Sequence, residues 1–228
     1  MDEFFEPAIM LSMKNKIKYN TLAIGITGGI GSGKSGVSKI FQSQGFKIIH
    51  ADTVAKQLIE SSAKIRNEIR RLFGKDAFLT DDRLDRKKIA DVVFKDPACK
   101  DSLNDIIHPP VLDYIRNEID RAKLLGTSPM MVVEAALIFE AGSEDMYDYV
   151  IVIDADEETR IRRIMIRDNC TREDVLNRIN SQMSPVKKIE LADFVIDNSG
   201  DKKSLEQKTL FLCNLLKSIA STNAKPGG

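Results

Sequence analysis

The hydrophobic positions of this 228-residue chain form two kinds of segment. Short apolar runs with the length and composition of buried strands occur at residues 22–27, 46–49, 130–134, 149–153 and 194–196. Between most of them lie segments whose apolar residues recur every three or four positions, as on one face of a helix. Strands that alternate with helices predict one α/β domain built on a parallel sheet.

One connection is too long for this alternation. Residues 61–126 contain no strand pattern, only helical stripes separated by polar turns. We expect the helix over Leu103–Ile107 to stop at His108-Pro109-Pro110, because proline disfavours helix in the residue before it. A further helix ends near Gly126. Since ordinary connections have a median of about five residues, this stretch predicts a helical insertion that binds a second substrate.

Composition narrows the classes of partner. The 34 basic and 34 acidic residues cancel, so no overall basic field favours nucleic acid or an anionic membrane. No apolar run approaches the ~18 residues of a membrane span. We therefore expect a small-molecule substrate, no nucleic-acid or membrane partner, and a monomer.

The three cysteines, Cys99, Cys170 and Cys213, are scattered and odd in number. They predict neither a disulfide framework nor a zinc site, which fits a reducing, cytoplasmic setting. The charges of residues 1–20 do not follow the order of a secretory signal, so we expect a frayed extension there and a polar tail at 221–228.

The clearest chemical motif is G-x-x-x-x-G-K-S at Gly28–Ser35, here called the phosphate loop. Glycines at four of its positions let the backbone turn its N–H groups inward toward a triphosphate, beside the positive end of the following helix. Lys34 is expected to reach the terminal phosphates and Ser35 to hold Mg²⁺. The predicted nucleotide site comprises Gly28, Gly29, Ile30, Gly31, Ser32, Gly33, Lys34, Ser35 and Gly36.

Asp52 follows strand two by a few residues and is expected at the carboxyl edge of the sheet, where ligands of open α/β sheets bind. It is a candidate catalytic acid, or else the cap of a helix over 53–60. Further along, Arg167 and Arg178 flank a turn at Asn169-Cys170-Thr171. This pattern is typical of a mobile flap with arginines for a phosphoryl group, whereas we expect Arg160 and Arg162 to face solvent.

Six motifs in this order resemble the dephospho-CoA kinase family: GITGGIGSGKS at 25–35, HADTVA at 50–55, IHPPV at 107–111, ALIFEAG at 136–142, RDNCTREDVLNRINSQ at 167–182 and ADFVIDNSG at 192–200. The resemblance implies a three-layer P-loop NTPase fold whose five-stranded parallel sheet has the order 2-3-1-4-5. It implies a core of residues 21–60, 127–157 and 190–220, a helical CoA-binding domain at 61–126, and a lid at 158–189.

The resemblance also implies an activity. Such enzymes use ATP and Mg²⁺ to phosphorylate the ribose 3′-hydroxyl of dephospho-CoA, the last step of coenzyme A synthesis. Asp52 matches the acid that faces the acceptor hydroxyl, Arg167 and Arg178 match lid arginines, and Asn198 falls near the adenine. His108 either touches the CoA ligand or only ends its helix. Glu140 either contacts substrate or caps the turn at Gly142.

Three positions depart from the family pattern, which often has Asp at His50, Thr at Gly36 and Pro at Ala136. Other functions also stay open at this point. A kinase of the same architecture acting on another nucleoside or nucleotide is the nearest alternative. A GTPase switch would need an N-K-x-D signature, which the sequence lacks, and an ATPase motor would need an acidic pair where Glu134 stands alone.

Overall fold

A parallel sheet forms the centre of the molecule. The computed structural model describes residues 20–85, 88–89, 92–93 and 96–222. Within them the sheet has five strands in the order β2-β3-β1-β4-β5, which confirms the expected topology. The strands are β1 Leu22–Thr27, β2 Ile48–His50, β3 Met130–Glu134, β4 Tyr149–Asp154 and β5 Phe194–Asp197.

Helices flank this sheet on both faces, giving three layers. The described helices are α1 Lys34–Ser43, α2 Ala51–Ser61, α3 Ala63–Phe73, α4 Pro97–Leu125, α5 Glu157–Asp168, α6 Arg172–Asn180, α7 Pro185–Glu190 and α8 Lys202–Thr222. Short 3₁₀ turns occupy Lys75–Ala77 and Glu144–Met146. All six residues of the central strand β1 are buried, because both of its faces are covered.

Each face of the sheet packs its own apolar cluster. On one face, Phe41 of α1 and Leu216 of α8 pack with Ile24 and Ile26 of β1. On the other, Val54 of α2 and the α4 residues Val111, Ile115 and Ile119 pack with β3. These clusters fix α1 and α2 at the carboxyl ends of β1 and β2, so both helices begin at the same edge of the sheet.

The second strand is shorter than the sequence predicts. It begins at Ile48 rather than Phe46, and its three residues pair in register with Val132, Val133 and Glu134 of β3. Phe46 is buried against Phe41 with ring centroids 6.3 Å apart, so its hydrophobicity reflects packing before the strand rather than a ladder position.

The prediction that His108-Pro109-Pro110 ends a helix is wrong. Helix α4 runs unbroken from Pro97 to Leu125 with both prolines inside it. Residues before the prolines, such as Ile106, pack against the cluster around Ile69 of α3, and residues after them pack against the sheet. Burial in two adjacent clusters outweighs the local cost of the prolines. The predicted end at Gly126 is confirmed, with a left-handed cap there.

Some predictions concern residues that lie outside the described part of the chain. These are the expected extension, of which only residue 20 is described, and most of the expected tail. The helix expected around Ile89–Val93 is described only in part: residues 88–89 and 92–93 are helical, and Ile89 is buried against Ile69 and Phe78.

Candidate active site

Backbone geometry shows why the phosphate loop requires glycine. Gly28 and Gly33 have φ angles of +150° and +95°, in the region that side chains rarely adopt. A Cβ at Gly28 would lie 2.1 Å from the carbonyl oxygen of Ile153, and one at Gly33 would lie 2.2 Å from Nδ2 of Asn198. Helix α1 follows with Gly33 as its N-cap, and no side chain caps its first N–H groups. The N–H of Gly36 donates to the carbonyl oxygen of Gly33 at 2.9 Å, so the N–H groups of Lys34 and Ser35 are the ones available to an anion here.

Lys34 binds its own loop. Its Nζ donates hydrogen bonds to the carbonyl oxygens of Gly28, at 2.9 Å, and Gly29, at 3.3 Å. Burial lowers the pKa of the Lys34 ammonium to about 8, and Glu134 and Asp52 oppose this by favouring the charged form. The amine is thus held in the loop while remaining sensitive to an added negative charge.

Lys34, Ser35 and Asp52 line one cavity of about 610 Å³. The carboxyl ends of β1 and β2 carry them there, as the sequence predicts. The other lining residues include the loop residues Ile30, Gly31 and Gly33, together with His50, Glu134, Arg163, Arg167 and Gln182. This cavity, here called the first cavity, is large and polar enough for a polyphosphate.

Asp52 also lines a second cavity of about 250 Å³ between α2, α4 and the loop after β3. Its other walls are mostly apolar, with Ile107, Val111, Leu137 and Ile138 among them. The alternative that Asp52 caps a helix starting at Thr53 is wrong, because α2 begins at Ala51 and its N-cap is His50. Asp52 stands where the two cavities meet.

His50 and Glu134 form a contact that the sequence did not reveal. Nδ1 of His50 lies 2.6 Å from Oε2 of Glu134 across the paired ends of β2 and β3. Both residues line the first cavity, so Glu134 is not the isolated carboxylate that its sequence position suggests.

His108 lies in the wall of the second cavity, in mid-helix. Its side chain makes no hydrogen bond to another described residue, and burial lowers the pKa of its imidazole against the opposing effect of Asp105. The alternative in which His108 ends its helix is therefore wrong. Its neutral ring is available to a ligand in this cavity.

Glu140 does not cap the turn at Gly142, because its carboxylate is bonded elsewhere. Its Oε1 accepts a hydrogen bond from the backbone N–H of Met183 at 3.1 Å and lies 2.7 Å from Nζ of Lys188. Lys188 is 1% exposed and also donates to the carbonyl oxygen of Ala136 at 3.0 Å. An ion pair with a buried lysine therefore connects the end of the predicted lid to the loop after β3.

The two predicted lid arginines are both bonded to Asp168. Nε of Arg167 lies 2.7 Å from Oδ1 of Asp168, and Nη1 of Arg178 lies 2.7 Å from Oδ2. These hydrogen bonds lower the pKa of Asp168 to about 2, and the one from Arg167 contributes most. Arg167 lines the first cavity, whereas Arg178 is not among its lining residues.

The expectation that Arg160 faces solvent is wrong, although Arg162 is exposed as predicted. Arg160 is 2% exposed, and its guanidinium lies over Gly29, where a Cβ would come within 3.0 Å of Cζ. Its Nε donates to the carbonyl oxygen of Ile30 at 3.2 Å. Charge along one helix could not reveal that the phosphate loop covers this position.

Asn198 supports the loop directly. Its buried Nδ2 donates to the carbonyl oxygen of Ser32 at 2.7 Å, and its backbone carbonyl oxygen accepts from Nη2 of Arg163 at 2.9 Å. The Ser32 hydroxyl is buried without a hydrogen-bond partner among the described residues.

Gly36 lies in the first turn of α1, and a Cβ there would meet Leu205 at an ordinary 3.4 Å.

The sequence assigned no role to Arg163, Gln182 or Lys188. The structure brings Arg163 and Gln182 to the phosphate loop and Lys188 to the loop after β3. Oε1 of Gln182 accepts a hydrogen bond from the backbone N–H of Ile30 at 2.8 Å. Gln182 ends one of the six motifs that carry the family resemblance, and this was the available signal. Arg163 and Lys188 carried no signal beyond a run of charges.

Mg²⁺ is the metal that the resemblance implies, and the donor set here suits it. Among residues 20–85, 88–89, 92–93 and 96–222, no three His, Cys, Asp or Glu side chains cluster as a metal cage. Mg²⁺ is commonly bound by one or two protein oxygens together with water and substrate phosphates. Ser35, Asp52 and Glu134 offer such oxygens around the first cavity.

Within residues 20–85, 88–89, 92–93 and 96–222, no helix combines the length and the apolar character needed to cross a bilayer.

The sheet order, the glycine loop at the start of α1 and the shared cavity define a P-loop protein of the kinase type. A family model described as dephospho-CoA kinase matches residues 22–204. The chain belongs to the dephospho-CoA kinase family.

Individual relatives agree with this assignment. A dephospho-CoA kinase of Listeria innocua is 38% identical over 187 residues, covering 82% of this chain and 93% of the relative. One from Chlorobium luteolum is 38% identical over 203 residues, covering 87% and 92%. A Thermus thermophilus crystal structure has a TM-score of 0.72 at 34% identity, covering 86% of this chain and 98% of the other.

The structure of dephospho-CoA kinase from Campylobacter jejuni is also similar. It has a TM-score of 0.65 at 29% sequence identity and covers 88% of this chain and 98% of that one. The similarity thus extends over nearly the full length of these relatives.

Proposed function

We propose that the protein transfers the terminal phosphoryl group of ATP to the ribose 3′-hydroxyl of dephospho-CoA, the last step of coenzyme A synthesis. One observation carries the proposal: Asp52 lies in the wall of both cavities. A carboxylate at the junction of a polyphosphate site and a mostly apolar site can face the donor phosphate and the acceptor hydroxyl together. Membership of the family supplies the chemical identity of the acceptor.

The donor side is the first cavity. We assign the triphosphate to the amides of the phosphate loop and the start of α1, with Lys34 beside the terminal phosphates. Ser35 would hold Mg²⁺, assisted by a carboxylate of Asp52 or Glu134. When bound, this ion supplies charge neutralisation at the phosphates.

The acceptor side is the second cavity. Its mostly apolar walls and the ring of His108 suit a flat, uncharged group such as the adenine of dephospho-CoA. The long helix α4 provides one wall, which links the helical region of residues 61–126 to acceptor binding. Glu140 is not assigned to this substrate, because it is bonded to Met183 and Lys188.

The transfer itself needs little covalent participation by the protein. Asp52 orients the 3′-hydroxyl and accepts its proton as that oxygen attacks the γ-phosphorus. The bond between the γ-phosphorus and the bridging oxygen breaks, and ADP leaves with the electron pair. Lys34 and the loop amides stabilise the charge that develops on the phosphoryl oxygens.

The lid would complete the site by exchanging partners. In the structure Arg167 and Arg178 are bonded to Asp168 and are 62% and 47% exposed. On closure, we expect the guanidinium groups to turn toward the transferring phosphoryl group, where bidentate donors are effective. A closed lid would also exclude water, which limits hydrolysis of ATP.

The proposal also includes the cellular compartment and the oligomeric state. Three free cysteines, with no disulfide among them, support the cytoplasm as the place of the reaction. We propose that the protein works as a monomer on small-molecule substrates, without nucleic acid or a membrane.

A coupled assay of ADP release with MgATP and dephospho-CoA tests the function. We expect phosphorylation of dephospho-CoA and much weaker activity with AMP, UMP, CMP or uridine. In Asp52→Asn, turnover should fall by roughly 10²–10⁴-fold, since the general base is lost, while ATP affinity is retained. Asp113→Asn, at an exposed residue of α4, is the matched control. Full turnover in Asp52→Asn, or preference for another acceptor, contradicts the proposal.

A further inference from the structure

Ile30 is the residue through which the phosphate loop joins the lid. Its N–H donates to Oε1 of Gln182 at 2.8 Å, and its carbonyl accepts from Nε of Arg160 at 3.2 Å. Its side chain packs against the apolar cluster of the lid, which consists of Ile161, Ile164, Val175 and Ile179. Both backbone polar groups and the side chain of one loop residue are therefore held by the lid.

The backbone beside Gln182 is itself fixed to the core. Gln182 lies between α6 and α7, and the N–H of the next residue, Met183, donates to Glu140 at 3.1 Å. Glu140 is in turn paired with the buried Lys188 of α7 at 2.7 Å. This anchoring limits the positions that the Gln182 side chain can reach, and keeps it at the phosphate loop.

The hydrogen bond from Ile30 also orients the carboxamide of Gln182. Because Oε1 is the acceptor, the two N–H donors belong to Nε2. They make no hydrogen bond to another described residue, and the side chain lines the first cavity with Lys34 and Ser35. A positioned donor pair in the wall of a polyphosphate cavity fits an anionic oxygen.

We propose that Gln182 is a phosphate-binding residue that donates from Nε2 to the terminal phosphate of the bound nucleotide. Its Oε1 stays bonded to Ile30, so one side chain connects the loop, the base of the lid and the γ-phosphate. The inference rests on the proposed function only in taking a nucleoside triphosphate as the ligand. Asp52 and the acceptor are not involved.

The competing explanation is that Gln182 merely braces the loop through Ile30. Two variants separate the two roles. Gln182→Glu keeps an acceptor of nearly the same shape for the Ile30 N–H but has no donors. Gln182→Met removes donor and acceptor without adding charge. Gln57→Glu, at an exposed position of α2, is the matched control for the added charge.

The measurement is calorimetric titration of each full-length variant with MgATP and, separately, MgADP, without acceptor. We expect both Gln182 variants to bind ATP at least about tenfold more weakly, as for a lost hydrogen bond to a charged group. Their affinity for ADP, which lacks the γ-phosphate, should change less than about threefold. Gln57→Glu should bind both nucleotides as the wild type does.

Each other result overturns the inference. Wild-type ATP affinity in Gln182→Glu shows that the donors are dispensable, and an equal loss of ATP and ADP affinity shows bracing alone. If Gln182→Met binds ATP normally while Gln182→Glu does not, the effect is charge repulsion. Thermal melts check folding: a variant melting near the wild type with the ATP-specific loss supports the assignment.

The outcome is separate from that of the acceptor assay. A wild-type protein that binds ATP with the expected Gln182 dependence, yet does not phosphorylate dephospho-CoA, keeps this inference and contradicts the proposed acceptor. A wild-type protein that binds no ATP contradicts both.

Discussion

The phosphate loop and the proposed lid hold their positive charges in different ways. Lys34 of the loop is bonded to the carbonyl oxygens of Gly28 and Gly29, within its own turn. Arg167 and Arg178 of the lid are instead exposed and share one carboxylate, that of Asp168. Backbone carbonyl oxygens of the site hold Lys34, whereas the two arginines are held by a side chain that a phosphate can replace.

This difference indicates which part of the site is ready before the nucleotide binds. Carbonyl contacts and glycines with positive φ angles fix the loop, so little reorganisation is needed when phosphate binds. Exposed ion pairs contribute only about 0–1 kcal/mol each, so the lid arginines can exchange Asp168 for a phosphate at little cost. We therefore expect the loop to be the binding element and the proposed lid, residues 158–189, to be the adjustable one.

Among changes to these cations, removal of the fixed one, Lys34, should have the largest effect. Lys34→Ala is expected to lower kcat/KM by about 10³-fold, as when a charge-stabilising donor is removed from an active site. Lys39→Ala, an exposed lysine of the same helix, is the control and should retain activity. Steady-state kinetics with MgATP measure the effect. A loss below about tenfold would mean that the loop amides stabilise the phosphate charge without Lys34.

Titrating the same cation should have a smaller effect. Burial lowers the pKa of Lys34 to about 8, so the neutral amine becomes the main form above that pH. Binding a triphosphate favours the charged amine and so draws a proton from solution. ATP affinity should fall as pH rises from 7 to 9, by up to about tenfold.

Calorimetry in buffers of different ionisation enthalpy measures that proton uptake, which should be about half a proton at pH 8. Lys34→Arg, whose guanidinium stays charged in this range, should show no uptake. Equal ATP affinity and no proton exchange between pH 7.5 and 9 in the wild type would contradict the role given to burial.

Releasing the adjustable cations should have the smallest effect. Asp168→Asn removes the carboxylate that holds Arg167 and Arg178, and therefore removes a competitor of the nucleotide. We expect ATP affinity to rise by only about threefold, because the exposed ion pairs that compete with the nucleotide are weak. Asp113→Asn serves as the control, and the gain should shrink at high salt. Weaker ATP binding in Asp168→Asn would show that Asp168 positions the arginines for use.

Much of the donor site was predictable because its signals are local. The order of glycines, Lys34 and Ser35 between a buried strand and a helix is a contiguous pattern, and its chemistry follows from residue types alone. The shared edge of Lys34 and Asp52 was also predictable, since parallel strands bring their carboxyl ends together. The resemblance supplied the sheet order, which the structure confirms.

The errors arose where distant parts of the chain decide a residue's surroundings. Helix α4 passes through Pro109 and Pro110 because two clusters bury the residues on either side of them. Arg160 is buried because the phosphate loop, 130 positions earlier, covers it. Glu140 does not cap the turn at Gly142, because the distant Lys188 holds its carboxylate.

By itself, then, the sequence determined most of the strand and helix pattern, the phosphate loop and the placement of Lys34 and Asp52 at one edge of the sheet. The tertiary structure alone decided which polar groups from distant parts of the chain lie at that edge. Gln182, for example, accepts a hydrogen bond from Ile30, 152 positions away in the sequence. The physical reason is that backbone preference and hydrophobic period act over a few residues. The partner of a side chain depends instead on how whole helices and strands pack.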